Sequence, residues 1–474
     1  MGWHQAQAYR EADVIVTTEY DLVRVPPPAL PHALPQYSQL YQDQLNNILR
    51  LYFNRLNSLL GQLMASGDTD SIPVSICGTN VDAFNRLRVR NPLTMFDSSH
   101  RYDDNNLWSN LISGTAAATF SANEGLINLT VGTASGDQII RETIKVFSYQ
   151  PGKSLLVMNT FVFGTAKANL KQRVGYYGIA NGLYFEREGS NLYFVERSSV
   201  TGVVVNTRVA QADWNQDPLN GTGPSGLTLD ASKSQILYMD IEWLGLGTCR
   251  LGFIINGQFI PAHNFNHANL TTTTYITTAS LPLRYEMENV GPTASSSTLK
   301  QVCSTVISEG GYELRGAQLS AGTPITTPKT LTTAATFYPV VSIRLKTTRL
   351  DAIVILTAIS ILGITNNANY KWEVVGSGTT TGGTWVSAGA NSSVEYNITG
   401  TAFTVGTGRI LATGFFQGSN QGASSVDILK EALFANQLER DSFTATPYEL
   451  TLACTSASNG DQVLGSVDWE EISR

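Results

Sequence analysis

Two glutamates, two tyrosines and two histidines are the residues whose type and spacing suit them to chemistry. The phrase Leu183-Tyr184-Phe185-Glu186-Arg187 is echoed nine residues later by Leu192-Tyr193-Phe194-Val195-Glu196-Arg197, across Glu188-Gly189-Ser190-Asn191. A carboxyl pair such as Glu186 and Glu196 is what glycoside hydrolysis uses, at about 5 Å for retention or about 6.5–9.5 Å for inversion. Tyr184 and Tyr193, if exposed, would stack on a sugar ring. The simplest reading is two strands of a hairpin whose aromatic side chains alternate between faces and pair across the strands.

His263 and His267 in "HNFNHANL" have HxxxH spacing, which sets two imidazoles side by side as metal ligands when the segment is helical. Here it reads as a strand end and loop, and no Glu follows His263. The remaining histidines, His4, His32 and His100, are scattered, and no GxSxG phrase supports a Ser/His/Asp arrangement. The tryptophans read as core residues. The expectation is a protein that is not an enzyme, with no cofactor and no metal.

These residues need a scaffold, and the totals constrain it. At roughly 150 residues per domain, 474 residues give about three units. The hydrophobic fraction of 42% builds real cores, whereas charged residues make up 15%, against a typical ~25%. The net charge of −7 is spread along the chain. No basic stripe interleaved with aromatics marks a nucleic-acid footprint. Cys77, Cys249, Cys303 and Cys454 match no CxxC spacing, which predicts free buried thiols formed in a reducing cytoplasm.

The start, Met1-Gly2-Trp3-His4-Gln5, lacks a signal-peptide pattern, and Ala6 breaks a myristoylation motif. The apolar run Leu350–Ile364 is shorter than the ~20 residues of a membrane helix. Its Ile and Val content suits a buried strand, so no membrane insertion is expected.

Five regions follow from the pattern. Residues 1–36 read as an extended anchoring arm, because Pro26, Pro27, Pro28, Pro31 and Pro35 fix φ and remove amide donors. Upstream, "ADVIVTTEYDLVRV" has strand character suited to a partner's sheet edge. Residues 37–66 place Leu45, Leu49, Tyr52, Leu56, Leu59 and Leu63 at alternating steps of four and three, an a/d seam for oligomerisation. An amphipathic helix packed on its own domain is the alternative. Residues 67–95 read as a linker.

Residues 96–322 read as short antiparallel strands of a jelly-roll or concanavalin-like sandwich, with Asn256-Gly257 as a hairpin turn. No nucleotide-binding glycine loop is present. After the Thr-rich stretch 320–337, residues 323–474 predict a second β-sandwich. One helix is expected there over 424–438, opened by Ser424 and Asp427 as a capping box.

Several phrases resemble virion structural proteins of tailed bacteriophages, of the fibre, collar and capsid-decoration kind. They are Leu34–Leu56, Val81–Asn110 ("VDAFNRLRVRNPLTMFDSSHRYDDNNLWSN"), Arg173–Ser199 and Tyr338–Val375. The resemblance implies an anchoring N-terminal part, a jelly-roll or concanavalin-like sandwich and a distal β domain, commonly trimeric, with no catalytic motif to carry over. The resulting expectation is a homotrimeric, non-enzymatic virion component assembled in the host cytoplasm. Its N-terminal arm would attach it to other virion proteins. A receptor protein binding host-surface glycan is the first alternative, and a tailspike-like polysaccharide depolymerase the second.

Overall fold

A computed structural model describes residues 39–65, 92–313, 315–418, 425–428, 436–444 and 446–473. The proline arm, most of the 67–95 linker, Cys77 and Ser424 lie outside the described residues. The chain divides into two compact units between Ile76 and Cys77.

In the first unit, Gln39–Ala65 forms one α-helix of 27 residues. Its Leu, Gln, Arg and Asn content carries no proline and a single β-branched residue, Ile48, so little opposes the helical backbone. At 1.5 Å per residue it spans roughly 40 Å. Exposed polar side chains tie to each other along it, with Gln42 donating to Asn46 at 3.5 Å and Arg50 to Asn47 at 3.0 Å. Leu45, Leu49 and Tyr52 of the seam are only half-buried, as is Ile48 beside it. Phe53, on the other flank, is 61% exposed. Leu56, Leu59 and Leu63 continue the same helical phase, and their side chains lie outside the described residues.

The second unit holds two β-sandwiches. In the first, sheet I runs from Gln258–Phe265 through Cys249–Ile255, Gln235–Ile241, Leu155–Val162, Ser297–Ser308 and Leu126–Val131 to Ala117–Ser121, with Leu93–Ser99 also on Ser297–Ser308. Sheet II runs from Val205–Ala210 through Asn191–Ser198, Gly182–Glu188, Leu170–Tyr177, Leu283–Asn289 and Gln138–Thr143 to Trp108–Ser113. All pairings are antiparallel, and the central strands are far apart in sequence, as in a jelly-roll or concanavalin-like sandwich.

Alternation decides the core. Phe185 and Phe194 face each other across the hairpin, both at 0% exposure. They pack with Phe161, Phe163, Trp214 and Phe253 at ring separations of 4.5–6.3 Å. The Asn256-Gly257 turn has φ of 52° and 76°, the positive pair that a two-residue hairpin turn requires.

In the second sandwich, sheet III orders Ala317–Gly322, Asp461–Ser473, Ile353–Gly363 and Ser425–Ile428. Sheet IV orders Val386–Ser387, Val394–Asn397, Tyr338–Leu345, Glu449–Ser456, Asn369–Thr381 and Ala402–Thr404, with Arg409–Gln417 also on Asn369–Thr381. The apolar run is a strand whose Ile353, Val354, Ile355 and Leu356 are all at 0% exposure.

Two expectations are corrected here. The boundary at 322/323 falls too late, since Ala317–Gly322 pairs with the last strand through Leu319 and Trp469. Lys329–Leu331 of the Thr-rich stretch pairs there too, because β-branched threonines suit a pleated edge. The helix over 424–438 is likewise not formed at its start: Ser425–Ile428 is a strand on Ala358–Ile361. An open sheet edge and the alternating Val426 and Ile428 outweigh the capping signal.

Val146, Ile353 and Ile355 form an apolar patch where the sandwiches meet. Around it Gln437 donates to the Val146 carbonyl at 2.9 Å and Ser442 to the Thr143 carbonyl at 3.0 Å. Cys249 and Cys454 are buried free thiols and Cys303 a half-buried one. Burial pushes Cys454 up to about 12.

Candidate functional site

The register of the hairpin separates the two glutamates. Leu183 pairs with Glu196 and Glu186 with Tyr193. Glu196 therefore shares the inward side with Phe185 and Phe194, and Glu186 shares the outward side with Tyr184, Tyr193 and Val195. The extra residue in the second phrase, Val195, shifts its glutamate by one position and so to the other face. The two carboxylates do not form a glycosidase pair.

On the inward side, Glu196 meets His267, with Nε2 2.6 Å from Oε2. The other ring nitrogen lies 2.5 Å from the Gly247 carbonyl, and the ring stacks on Tyr275 at 3.9 Å. Both oxygens can accept, so a protonated ring, donating from both nitrogens, suits this setting. Burial alone would lower the His267 pKa, but the bonds to Glu196 and Gly247 reverse that and raise it. His263 is in the opposite state. Its Nδ1 accepts from the Asn215 amide at 3.3 Å, and burial lowers its pKa to about 4. The two histidines are not brought together as ligands, and no metal-holding group of His, Cys, Asp or Glu exists among the described residues.

These histidines pull stability in opposite directions with pH. The folded pKa of His267 lies above its ordinary value. Its contribution is therefore complete below about pH 6.5 and fades as pH rises through the folded pKa. His263 and the wholly buried His100, also lowered to about 4 by burial and then by Arg141, stay neutral when folded. The unfolded chain takes up their protons below about pH 6.5, so stability falls from there to about pH 4. The melting temperature is expected to drop across that interval, and more shallowly in the His100→Leu/His263→Leu variant. Equal slopes in calorimetry of the two proteins would contradict the assignment.

The outward side of sheet II is a lattice of ion pairs. Glu186, 2% exposed, accepts from Arg173 at 2.6 Å and lies 2.5 Å from Arg208. Arg173 also reaches Glu286, and Glu288 at 3.2 Å. Burial alone would lower the Arg173 pKa, but Glu286, Tyr177 and Glu186 more than reverse that and raise it. One strand away, Glu142 binds Arg284 at 2.5 Å and Arg440 of the second sandwich at 3.2 Å. Arg440 then continues to Asp351 at 2.9 Å.

Gly175, opposite Tyr184, keeps the strands close: a Cβ there would lie 2.3 Å from the Leu183 carbonyl. Tyr184 itself is 1% exposed, its ring 4.4 Å from that of Tyr177, with the Arg197 guanidinium over both. Tyr193 is half-buried beneath Arg208, 3.9 Å from the ring centre. As glycan platforms these tyrosines are corrected: Tyr184 is closed off and the Tyr193 ring is capped by a cation. The seam residues Leu45, Leu49, Tyr52, Leu56, Leu59 and Leu63 belong to the other unit, on the helix described above.

No protein-family model matches the sequence, and no curated protein matches it. Among solved structures, a Bacteroides ovatus mixed-linkage glucan GH16 protein in complex with product is 9% identical. The match covers 45% of this chain and 99% of that one, with a TM-score of 0.32. The CBM2 module of the evolved Dit of Lactobacillus casei BL23 phage J-1 is 7% identical over 46% and 96%, at 0.30. A legume lectin-like domain from Entamoeba histolytica is 8% identical over 47% and 99%, at 0.29. Likeness at this level carries no functional argument.

The residues missed by reading the sequence are the arginines and glutamates of this lattice. Their signal was present as period-two charge, Lys171-x-Arg173 and Arg284-x-Glu286-x-Glu288, which marks a strand whose polar face is filled.

Proposed function

We propose that this protein is a non-enzymatic structural component of a tailed-phage virion, a homotrimer of the fibre, collar or decoration kind. Its N-terminal arm attaches it to other virion proteins, and its two sandwiches form the projecting body. The observation that carries the reading is the helix. Its seam residues Leu45, Leu49 and Tyr52 are half-covered in a single chain, and Phe53 beside them is 61% exposed. Leaving such side chains in water forgoes about 1.5–3 kcal/mol each. Sister helices supply the missing cover, and Ile48 and Phe53 flanking the seam broaden the apolar face toward more than one neighbour.

The non-enzymatic part is supported by the outward face of sheet II, where Glu142, Glu186, Glu286 and Glu288 are each held by a guanidinium. A glycosidase needs two carboxyl groups free to face one glycosidic bond, and these are taken up by neighbouring arginines. Light scattering of the intact protein is expected to give three times the chain mass of 51.3 kDa. A single-chain mass at micromolar concentration would refute the assembly.

A further inference from the structure

The two ends of sheet II are protected unequally. Val205–Ala210, at one end, carries Arg208, which is tied to Glu186 and Glu188. Trp108–Ser113, at the other, pairs with Gln138–Thr143 alone among the described residues. Half of the amides and carbonyls of such a strand point away from its one neighbour. Its sequence, WSNLIS, holds no charge and no proline, and its register has no shift; those are the devices that usually blunt a sheet edge. Its two aliphatic side chains are open, Leu111 at 40% and Ile112 at 47% exposure.

The edge is also held firm at both ends. The Trp108 indole donates to the Ser98 hydroxyl at 2.8 Å. Just beyond Ser113, Thr115 donates to Asp137 through its amide at 3.1 Å and its hydroxyl at 2.5 Å. A template fixed beforehand loses little freedom when a partner adds to it.

Register gives the two open side chains different surroundings. Ile112 lies opposite Ile139 of the core, whereas Leu111 lies opposite Ile140 on the outward side. There Leu111 lines a hollow of about 380 Å³ with Ile140, Ile179 and Leu281 of the first sandwich and Leu350 and Phe443 of the second. Ile179 is 81% exposed. Among the charged residues of the hollow, Arg284 and Arg440 are buried and bound to Glu142. Asp441 accepts from the amides of Phe443 and Thr444 at 2.8 and 2.9 Å. The Asp351 side chain, by contrast, is 60% exposed. The charge that a partner meets first is therefore a carboxylate.

We propose that Trp108–Ser113 is a docking edge for an extended segment of another protein, which adds to the seven strands of sheet II. The backbone of the segment completes the ladder and supplies most of the affinity. Its alternating apolar side chains cover Ile112 on one face and enter the hollow beside Leu111 on the other. A lysine or arginine at the end of the segment meets Asp351 and sets its direction. The site lies within the second unit and does not depend on the oligomeric state.

Fluorescence anisotropy of the intact protein with labelled peptides tests the proposal. The first peptide alternates leucine with threonine and ends in lysine. The second ends in glutamate instead, and the third is the first with alternate backbone amides methylated. The lysine peptide is expected to bind with Kd below about 1 mM and to slow amide hydrogen exchange over Ser109–Ser113. The glutamate peptide should bind about fivefold more weakly, and the methylated one about tenfold or more. Leu111→Lys blunts the edge at an exposed position and should weaken the lysine peptide about tenfold at an unchanged melting temperature. Asp351→Asn should erase the difference between the lysine and glutamate ends. Silence of the lysine peptide, equal binding of the methylated one, full binding to Leu111→Lys, or binding without protection of Ser109–Ser113 would overturn the proposal. So would a fall in light-scattering mass on Leu111→Lys, since the edge would then serve a second copy of this chain.

Discussion

Replacing Leu49 and Leu56 together by aspartate is expected to turn the proposed trimer into single chains, read as a fall in light-scattering mass to 51.3 kDa. Both positions lie on the seam of the Gln39–Ala65 helix, one heptad apart. In a trimer the double change removes two leucine contacts per chain, each contributing about 1.5–3 kcal/mol. It also gathers six like charges along one dry axis, where burial of an unpaired carboxylate is strongly unfavourable. Such a loss exceeds what the remaining seam residues restore. The β body should be untouched, because its cores are built from residues beyond Ile76. Far-ultraviolet strand signal and melting of the body are therefore expected to persist in the variant. If the mass stays that of the parent, the seam is not the assembly surface. If instead the body melts lower, the helix packs on its own chain.

Glu142→Ala is expected to lower the unfolding free energy by about 3–5 kcal/mol, measured as a shift of the urea midpoint at unchanged slope. Glu142 is 1% exposed and holds two guanidiniums whose side chains are 7% and 9% exposed, those of Arg284 and Arg440. Without the carboxylate, Arg284 keeps among the described residues one ion-pair partner, Glu286 at 3.8 Å, and Arg440 keeps the surface residue Asp351. Charges stripped of water and partner account for the magnitude. The triple variant Glu142→Leu/Arg284→Met/Arg440→Leu should recover most of that loss, since intact buried pairs contribute little net stability over apolar packing. Recovery would show that the network adds little net stability over apolar packing. A midpoint unmoved by Glu142→Ala would mean that water reaches this junction.

Features set by neighbours in sequence were legible before any fold was known. The near-repeat at Leu183–Arg197 forms a hairpin because strand alternation and a glycine-bearing turn are local properties. The Asn256-Gly257 turn and the buried Ile353–Gly363 strand followed from residue type alone. Even the separation of Glu186 from Glu196 was written in the chain, as the single extra residue Val195.

What remained hidden depends on partners distant in sequence. Glu142 meets Arg284 and Arg440, and Glu439 meets Ser377 and Lys145, through sheet register and the stacking of two sandwiches. No spacing rule records such meetings, because a side chain's face is local but what lies opposite it is not. The capping phrase at Ser424 and Asp427 shows the same limit from the other side. A cap contributes about 1 kcal/mol, and at Ser425–Ile428 the tertiary structure offers a sheet edge whose backbone bonds outweigh it. By itself the sequence determined the β architecture, the helical seam and the alternation of faces. Only the tertiary structure decided which charges are paired and which aromatics are closed to ligands.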